Sequence, residues 1–404
     1  MRGPTRRVVV RAAIVVGLLA LVPAAADAQQ RESRLDEVFH GIQFRSAAEM
    51  ETGAAVPSGD GTTEIVSPHD PSLRYRVDDA VHRSTDGGVS WTAVSPSLAP
   101  GGLAAVAESP LEPGLLWAGG RDGSLHLTRD GGLSWETLTG PAPDGTFVRA
   151  LVASAHDGGI AYVVAGTPPD EPQMPLLVRY EGYGREYDLV IGTDSGFPGE
   201  EPVTAFAEDP ENPDLFFVGS RLGAYVSFNG ALAWDRLSLG MPEADVTELT
   251  IYGRDLLVDT RGHGRFVLEG IAPLRYVVEG LMSGEPYLFA PTPVHLEDRA
   301  VAYLDYLLPS FVGSVRIEVL DVEGRVLATL AAGGRDVEGR RLPGARAGVH
   351  RLVWDLSVSP DGDARGAANG RSETCLVSPG AYALRMSVDG LVRERVLEVV
   401  AGPS

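Results

Sequence analysis

The chain has 404 residues, with 55 Asp and Glu against 34 basic residues, and a formal charge of −21. Acidity on this scale repels nucleic acid and anionic membrane surfaces, so neither is an expected partner. The single Cys, Cys375, excludes an intramolecular disulfide, so stability must come from buried apolar area, and the length supports two cores.

The first 28 residues read as a secretory signal. Arg2, Arg6, Arg7 and Arg11 form a basic start, Ala12 to Val22 is an apolar run too short to span a bilayer well, and Ala26-Asp27-Ala28 is an A-x-A site, so cleavage is expected after Ala28. Thr5-Arg6-Arg7-Val8-Val9-Val10 loosely resembles a twin-arginine signal. Removing the leader takes away four Arg and Asp27 and leaves a charge of −24. The expected location is secreted or periplasmic, and no later apolar run is long enough to cross a membrane. Residues 29–60 are a polar, irregular N-terminal segment, with one strand expected near Ile42–Arg45.

From 61 to 278 the chain repeats itself. Ser84-Thr85-Asp86-Gly87-Gly88-Val89-Ser90-Trp91 returns as Thr128-Arg129-Asp130-Gly131-Gly132-Leu133-Ser134-Trp135, and more weakly as Ser227-Phe228-Asn229-Gly230-Ala231-Leu232-Ala233-Trp234. Tyr180-Glu181-Gly182-Tyr183-Gly184-Arg185-Glu186-Tyr187 is a degenerate fourth copy. The third positions lie at 86, 130, 182 and 229, spaced by 44, 52 and 47 residues. That period fits a four-stranded unit of a β-propeller. Each position has a physical reason. Asp folds back onto amides of its own turn, Gly permits a positive φ, and Trp supplies an apolar plate to wedge between thin β layers. A second repeated turn runs Ser67-Pro68-His69-Asp70-Pro71, Ser109-Pro110-Leu111-Glu112-Pro113, Ser154-Ala155-His156-Asp157-Gly158 and Asp209-Pro210-Glu211-Asn212-Pro213. It is expected between the first and second strands of each unit, with the first turn between the third and fourth. A last unit, Val246 to Glu269, has strands and no such turn.

The hydroxyl-x-Asp-x-Gly-x-Ser-Trp stretch resembles the Asp-box, or BNR repeat, of sialidases, sortilin-type domains and xyloglucanase-like glycoside hydrolases. The resemblance implies an all-β fold: an Asp-box β-propeller of about five blades, with Ser84, Asp86, Gly88, Trp91, Thr128, Asp130, Gly132, Trp135, Ser227, Asn229 and Trp234 as structural turn residues. Phe39-His40-Gly41-Ile42-Gln43-Phe44-Arg45 resembles the opening of long bacterial sortilin-like propeller proteins, of which this chain looks like a shortened member. Residues 279–290 are a connector. Residues 291–404 resemble the Ig-like β-sandwich that follows the propeller in that family, through Gly348-Val349-His350-Arg351-Leu352-Val353-Trp354-Asp355 and Pro379-Gly380-Ala381-Tyr382. A Gly/Asp-rich loop is expected over 359–375.

Both repeated turns belong to one end of the blades, so a ligand is expected at the other. Arg121, Arg221 and Arg261 follow the second strands of their units at a common offset, and with His263 they are the candidate ligand-binding residues. Guanidiniums converging on one mouth would hold an anionic ligand by paired hydrogen bonds. Glycoside hydrolysis needs two carboxylates roughly 5–9.5 Å apart. The candidates are Asp78, Asp79, Asp122, Asp170, Glu171, Asp194, Glu200 and Glu201, and none stands out by motif. The F-R-I-P start of sialidases is missing, since Ser46-Ala47 follow Phe44-Arg45. No metal-ligand spacing or cofactor motif is present. The leading expectation is a non-catalytic binding protein for a carbohydrate or protein ligand. The alternatives are a glycoside hydrolase or a structural subunit of an extracytoplasmic assembly.

Overall fold

The computed structural model describes residues 34–47, 64–138, 140, 145–167, 174–192, 195–296, 300–333, 345–358 and 375–402. The expected leader, Asp170, Glu171, Asp194 and residues 359–374 of the predicted loop lie outside them. The described chain is mostly β and divides into two compact units.

One unit covers Arg45–Tyr252 and Leu257–Val267. It is built from four-stranded antiparallel meanders, a propeller-like arrangement. The first sheet is Glu64–Val66, Arg74–Val77, Val81–Ser84 and Thr92–Ala93. The second is Leu103–Glu108, Leu116–Gly120, Leu125–Thr128 and Glu136–Leu138. The third is Phe147–Ala153, Ala161–Gly166, Leu177–Glu181 and Glu186–Leu189. The fourth is Ala205–Glu208, Phe216–Ser220, Gly223–Ser227 and Asp235–Arg236. The fifth combines Asp245–Tyr252, Asp255–Arg261 and Gly264–Leu268 with Arg45–Ser46, whose residues pair with Val267 and Phe266.

Apolar side chains seal each sheet to the next. Leu116 and Ala118 of the second sheet pack on Tyr75 of the first. Ala161 and Val163 of the third pack on Trp117 of the second, and Phe216 and Val218 of the fourth pack on Tyr162 of the third. The second strands of the second, third and fourth sheets are buried on both faces, which is why Leu116–Gly120 and Phe216–Ser220 read as unbroken small and apolar runs.

The two repeated turns meet at one end of these sheets. In the first copy, Asp86 Oδ1 accepts from Ser84 Oγ at 2.7 Å and from Ser90 N at 2.9 Å, while Oδ2 accepts from Ser90 Oγ at 2.6 Å. Asp130 makes the same three bonds with Thr128 and Ser134. Asn229 keeps two of them, from Ser227 Oγ and Ala233 N, both at 3.0 Å. Gly88 and Gly132 take φ of 97° and 98°, and Ala231 is forced to 70° at the matching position. The amide at the fourth position of every copy donates to a carbonyl of the other turn: Gly87 to Ser72, Gly131 to Gly114, Tyr183 to Gly159 and Gly230 to Asp214. In that other turn a buried oxygen of Ser67, Ser109, Ser154 or Asp209 accepts from amides two or three residues on.

The second unit takes the described residues up to Phe44, Gly253–Leu256 and the chain from Leu268 onward. Helix α1 (Arg34–Val38) leads into Phe39–His40, which pairs in parallel with Gly348–Trp354. Ala302–Leu308 and Tyr287–Leu288 complete that sheet. A five-stranded sheet, Val294–Leu296, Leu391–Ala401, Gly380–Val388, Val315–Leu320 and Val326–Gly333 in spatial order, shares one core with it through Leu304, Tyr306, Trp354, Ile317, Leu384 and Leu397. Helix α2 (Ala272–Ser283) begins inside the 61–278 span and runs into the expected connector 279–290. It has Pro273 in its first turn and ends on Gly284 at φ 64°.

The Phe39–Arg45 and His350–Arg351 stretches, far apart in sequence, therefore lie side by side. His40 and His350 rings sit 4.6 Å apart, and His350 stacks on Tyr306 at 5.0 Å. Arg351 is buried. It donates Nε to Asp305 Oδ1 and Nη2 to Asp305 Oδ2, both at 2.8 Å, and reaches the carbonyls of Glu269 and Gly270 at 2.5 Å each.

Candidate functional site

The first strands of all five sheets line one cavity of about 450 Å³, a size suited to a small ligand. Its walls are mainly small and apolar, with Ala105, Ala150, Leu151, Ala205, Phe206 and Val246 among them. Polar groups enter from Glu64, Arg149, Thr204, Asp245, Thr247, Glu248 and Arg261.

Arg149 owes its place to a β-bulge. Along the third sheet, Val148 pairs with Ala165 and Ala150 with Val164, so Arg149 is the extra residue and is re-aimed. Val148 must stay where it is because it packs against Gly119, whose Cβ would come within 2.5 Å of it. The second sheet has the same bulge at Ala104, between Leu103 opposite Gly120 and Ala105 opposite Gly119. The third sheet differs in placing a cation there.

Around Arg149 lie groups from the next two sheets. Partial burial, and then the charges of Arg221 and Arg261, pull its guanidinium below the usual arginine range, while Asp245 acts in the other direction. Arg261 donates Nε to Asp245 Oδ2 at 3.0 Å. Burial pushes the Glu201 carboxyl up, and Arg221 opposes that rise. Glu201 Oε2 is buried with no hydrogen-bond donor among the described residues, as is Thr204 Oγ1. Three cations from three successive sheets thus share one neighbourhood with two carboxylates.

The predicted residues fall unequally. Arg261 lines the cavity, and Arg221 acts on Arg149 beside it. Arg121 is exposed on the second sheet, with its backbone amide bonded to Gly102 O, and is not part of the lining. His263 is exposed in the tight turn between Gly262 and Gly264, at φ 88° and 75°, and does not line the cavity either. Of the proposed carboxylates among the described residues, Asp78, Asp79, Asp122, Glu200 and Glu201, none lines it. Asp78 is held low by the Ala80 amide and by His82, 2.9 Å away, and Asp122 accepts from Ser124. The carboxylates that do line it are each engaged: Glu64 by Arg74, Asp245 by Arg261 and Glu248 by Thr250. No group of three or more His, Cys, Asp or Glu is placed to hold a metal among the described residues.

The sequence matches no described protein family and no curated protein. Among solved structures it is similar to the Niastella koreensis GH74 enzyme, at 13% identity and TM-score 0.42, covering 82% of this chain and 56% of that one. It is also similar to a GH74 xyloglucanase from Xanthomonas campestris, at 15% identity and TM-score 0.42, covering 82% and 64%. A third is the extracellular domain of a hybrid two-component system from B. thetaiotaomicron, at 10% identity and TM-score 0.38, covering 82% and 43%. The chain therefore spans less than two thirds of the length of these proteins. No helix among the described residues is long and apolar enough to cross a membrane.

Proposed function

We propose that this chain is an extracytoplasmic, non-catalytic binding protein: a five-bladed Asp-box propeller followed by an Ig-like sandwich, exported by its N-terminal leader. Its ligand is a carbohydrate bearing a carboxylate, held at the mouth of the central cavity by Arg149, Arg221 and Arg261. The observation that carries this reading is that Arg149 and Arg261 line the cavity, with Arg221 acting on Arg149, in a chain of charge −21. Arg meets a carboxylate with two parallel hydrogen bonds. The test is binding of glucuronate- and sialate-bearing glycans, at low and moderate salt, to wild type and to the Arg149→Gln/Arg221→Gln/Arg261→Gln variant. Loss of about tenfold or more in affinity is expected, since hydrogen bonds to charged groups contribute roughly 1.5–3 kcal/mol each. Equal binding by both proteins, or none by wild type, refutes it.

Glu201 supports a second reading, glycoside hydrolysis. Its raised carboxyl, which the charge of Asp245 helps to lift, is the disposition expected of a general acid. Hydrolysis of the same glycans that disappears in Glu201→Gln would favour this reading.

A further inference from the structure

The central cavity is graded along its length. The first strands of the sheets run inward from the mouth, and in the first four sheets they end at a repeated turn. In four of the five sheets the first lining residue is polar, namely Glu64, Arg149, Thr204 and Asp245. The next residue is aliphatic in each case: Ile65, Ala150, Ala205 and Val246. The second sheet supplies Ala104, Ala105 and Val106, and Leu151 and Val152 continue the aliphatic run on the third. Thr247 and Glu248 interrupt it on the fifth sheet, where Glu248 is engaged by Thr250. At about 3.3 Å per residue, the band from Ala150 to Val152 is about 10 Å deep.

The third sheet leaves open what its neighbours cover. Ala105 and Val106 of the second sheet and Ala205 and Phe206 of the fourth are buried. Ala150, Leu151 and Val152 are partly exposed, as is Ile65 on the first sheet. Phe206 is the one aromatic residue of the lining, and its ring is taken up by Tyr162 at 4.7 Å and Phe216 at 5.6 Å. A sugar sunk to this depth would turn hydroxyls against aliphatic side chains, and an unpaired hydroxyl is costly away from water. Water fares no better there, since a buried water needs roughly two to four polar partners.

We propose that the ligand is an amphiphile, an acidic sugar that carries an aliphatic substituent. The sugar carboxylate stays with the guanidiniums at the mouth, and the substituent fills the band beneath them. One strand serves both ends, because Arg149 heads it and Ala150, Leu151 and Val152 follow. The tail enters first, so the ligand is taken up as a monomer. The head group rests on the mouth reading, whereas the tail is argued from the walls, and the experiment separates the two.

The probes are methyl glucuronide, octyl glucuronide and octyl glucoside, each titrated calorimetrically into the protein below the concentration at which it forms micelles. Each buried methylene is worth about fourfold in affinity, so octyl glucuronide is expected to bind wild type about thirtyfold or more tighter than methyl glucuronide, with about three methylenes covered. One octyl chain should bind per protein. Octyl glucoside, which keeps the tail and lacks the carboxylate, should bind about tenfold or more weaker than octyl glucuronide. Ala150→Leu narrows the band and Leu151→Asn makes its wall polar. Each should cut the octyl-to-methyl affinity ratio to about threefold or less, in a protein whose circular dichroism matches wild type. The inference is overturned by an octyl glucuronide that gains nothing over the methyl compound or does not bind. Binding of many octyl chains without saturation, or an undiminished ratio in both well-folded variants, overturns it as well. Octyl glucoside binding as tightly as octyl glucuronide, while Ala150→Leu still weakens both, would sink the mouth reading and leave the aliphatic station standing.

Discussion

Replacing Arg351 with Met should unfasten the C-terminal unit. The guanidinium is 4% exposed and its partner carboxylate on Asp305 is 7% exposed, so the pair has no water to fall back on. Methionine fills similar volume but leaves Asp305 without its two bonds and the carbonyls of Glu269 and Gly270 without theirs. It also strips the cation lying 4.3 Å over Tyr303, whose hydroxyl bonds Glu269. Breaking one side of a buried pair costs about 3–5 kcal/mol, most of it the stranded charge. For a unit of this size that corresponds to a fall in Tm of roughly 10 °C. Urea unfolding followed by tryptophan fluorescence gives the number, with a double-mutant cycle to assign it. Arg351→Met/Asp305→Leu should recover much of the loss because no charge is left unpaired, while Arg351→Lys, which keeps the charge and loses the planar fork, should fall between. A single Met variant within about 0.5 kcal/mol of wild type, or a cycle with no coupling between the two sites, would show that this network does not hold the unit together.

Three further outcomes are expected. His350 is buried beside His40, Tyr306 and the Arg346 carbonyl, and burial holds its imidazole down at about 4. Its folded value lies below its unfolded one, so stability is full above about pH 6.5 and falls by roughly 3 kcal/mol as pH drops toward 4. A His350→Phe variant with an unchanged pH-stability curve between pH 4 and 7 would contradict this. In the repeated turn, hydrogen bonds from Ser90 and Ser84 hold Asp86 at about 2, and bonds from Ser134 and Thr128 do the same for Asp130. Asp86→Ala should lower Tm and Asp86→Asn should lower it less, because Asn229 already performs the role in the fourth sheet; equal effects of Ala and Asn would refute the acceptor role. Deleting residues up to Phe44 removes a strand paired to Val349 and His350, and should lower the Tm of the C-terminal unit, read by differential scanning calorimetry.

The turns were legible because they are local. Asp86 bonds to residues two and four positions away, so its chemistry is written in eight consecutive letters. The alternation of the two repeated turns also placed both at one end of the sheets, and the carbonyl that accepts from each fourth-position amide shows why they recur together. What was not legible is long-range. Phe39-His40 looks like an irregular polar stretch until it lies in register with Val349-His350, some three hundred residues on.

The cavity mouth was half legible for a related reason. Counting from the second strand of each unit gives Arg121, Arg221 and Arg261 a common offset, and rotational symmetry then brings them together. Arg261 lines the cavity and Arg221 acts on a cation that the count did not include, Arg149 on an inner strand. In sequence, Phe147-Val148-Arg149-Ala150-Leu151-Val152 reads as a strand with one polar interruption, and strict alternation would turn that side chain into a neighbouring sheet. A bulge breaks alternation by one residue, and nothing in the letters Val-Arg-Ala announces it. The constraint comes from Gly119 on the second sheet, which lets Val148 approach so closely that the chain must bulge to keep both Val148 and Leu151 buried or lining the cavity. The one signal available was comparative: Leu103-Ala104-Ala105 and Val148-Arg149-Ala150 precede their second turns by the same number of residues. Aligning the inner strands, and not only the turns, would have put Arg149 at the position where the second sheet has Ala104 and the fourth has Thr204, facing the axis in each case.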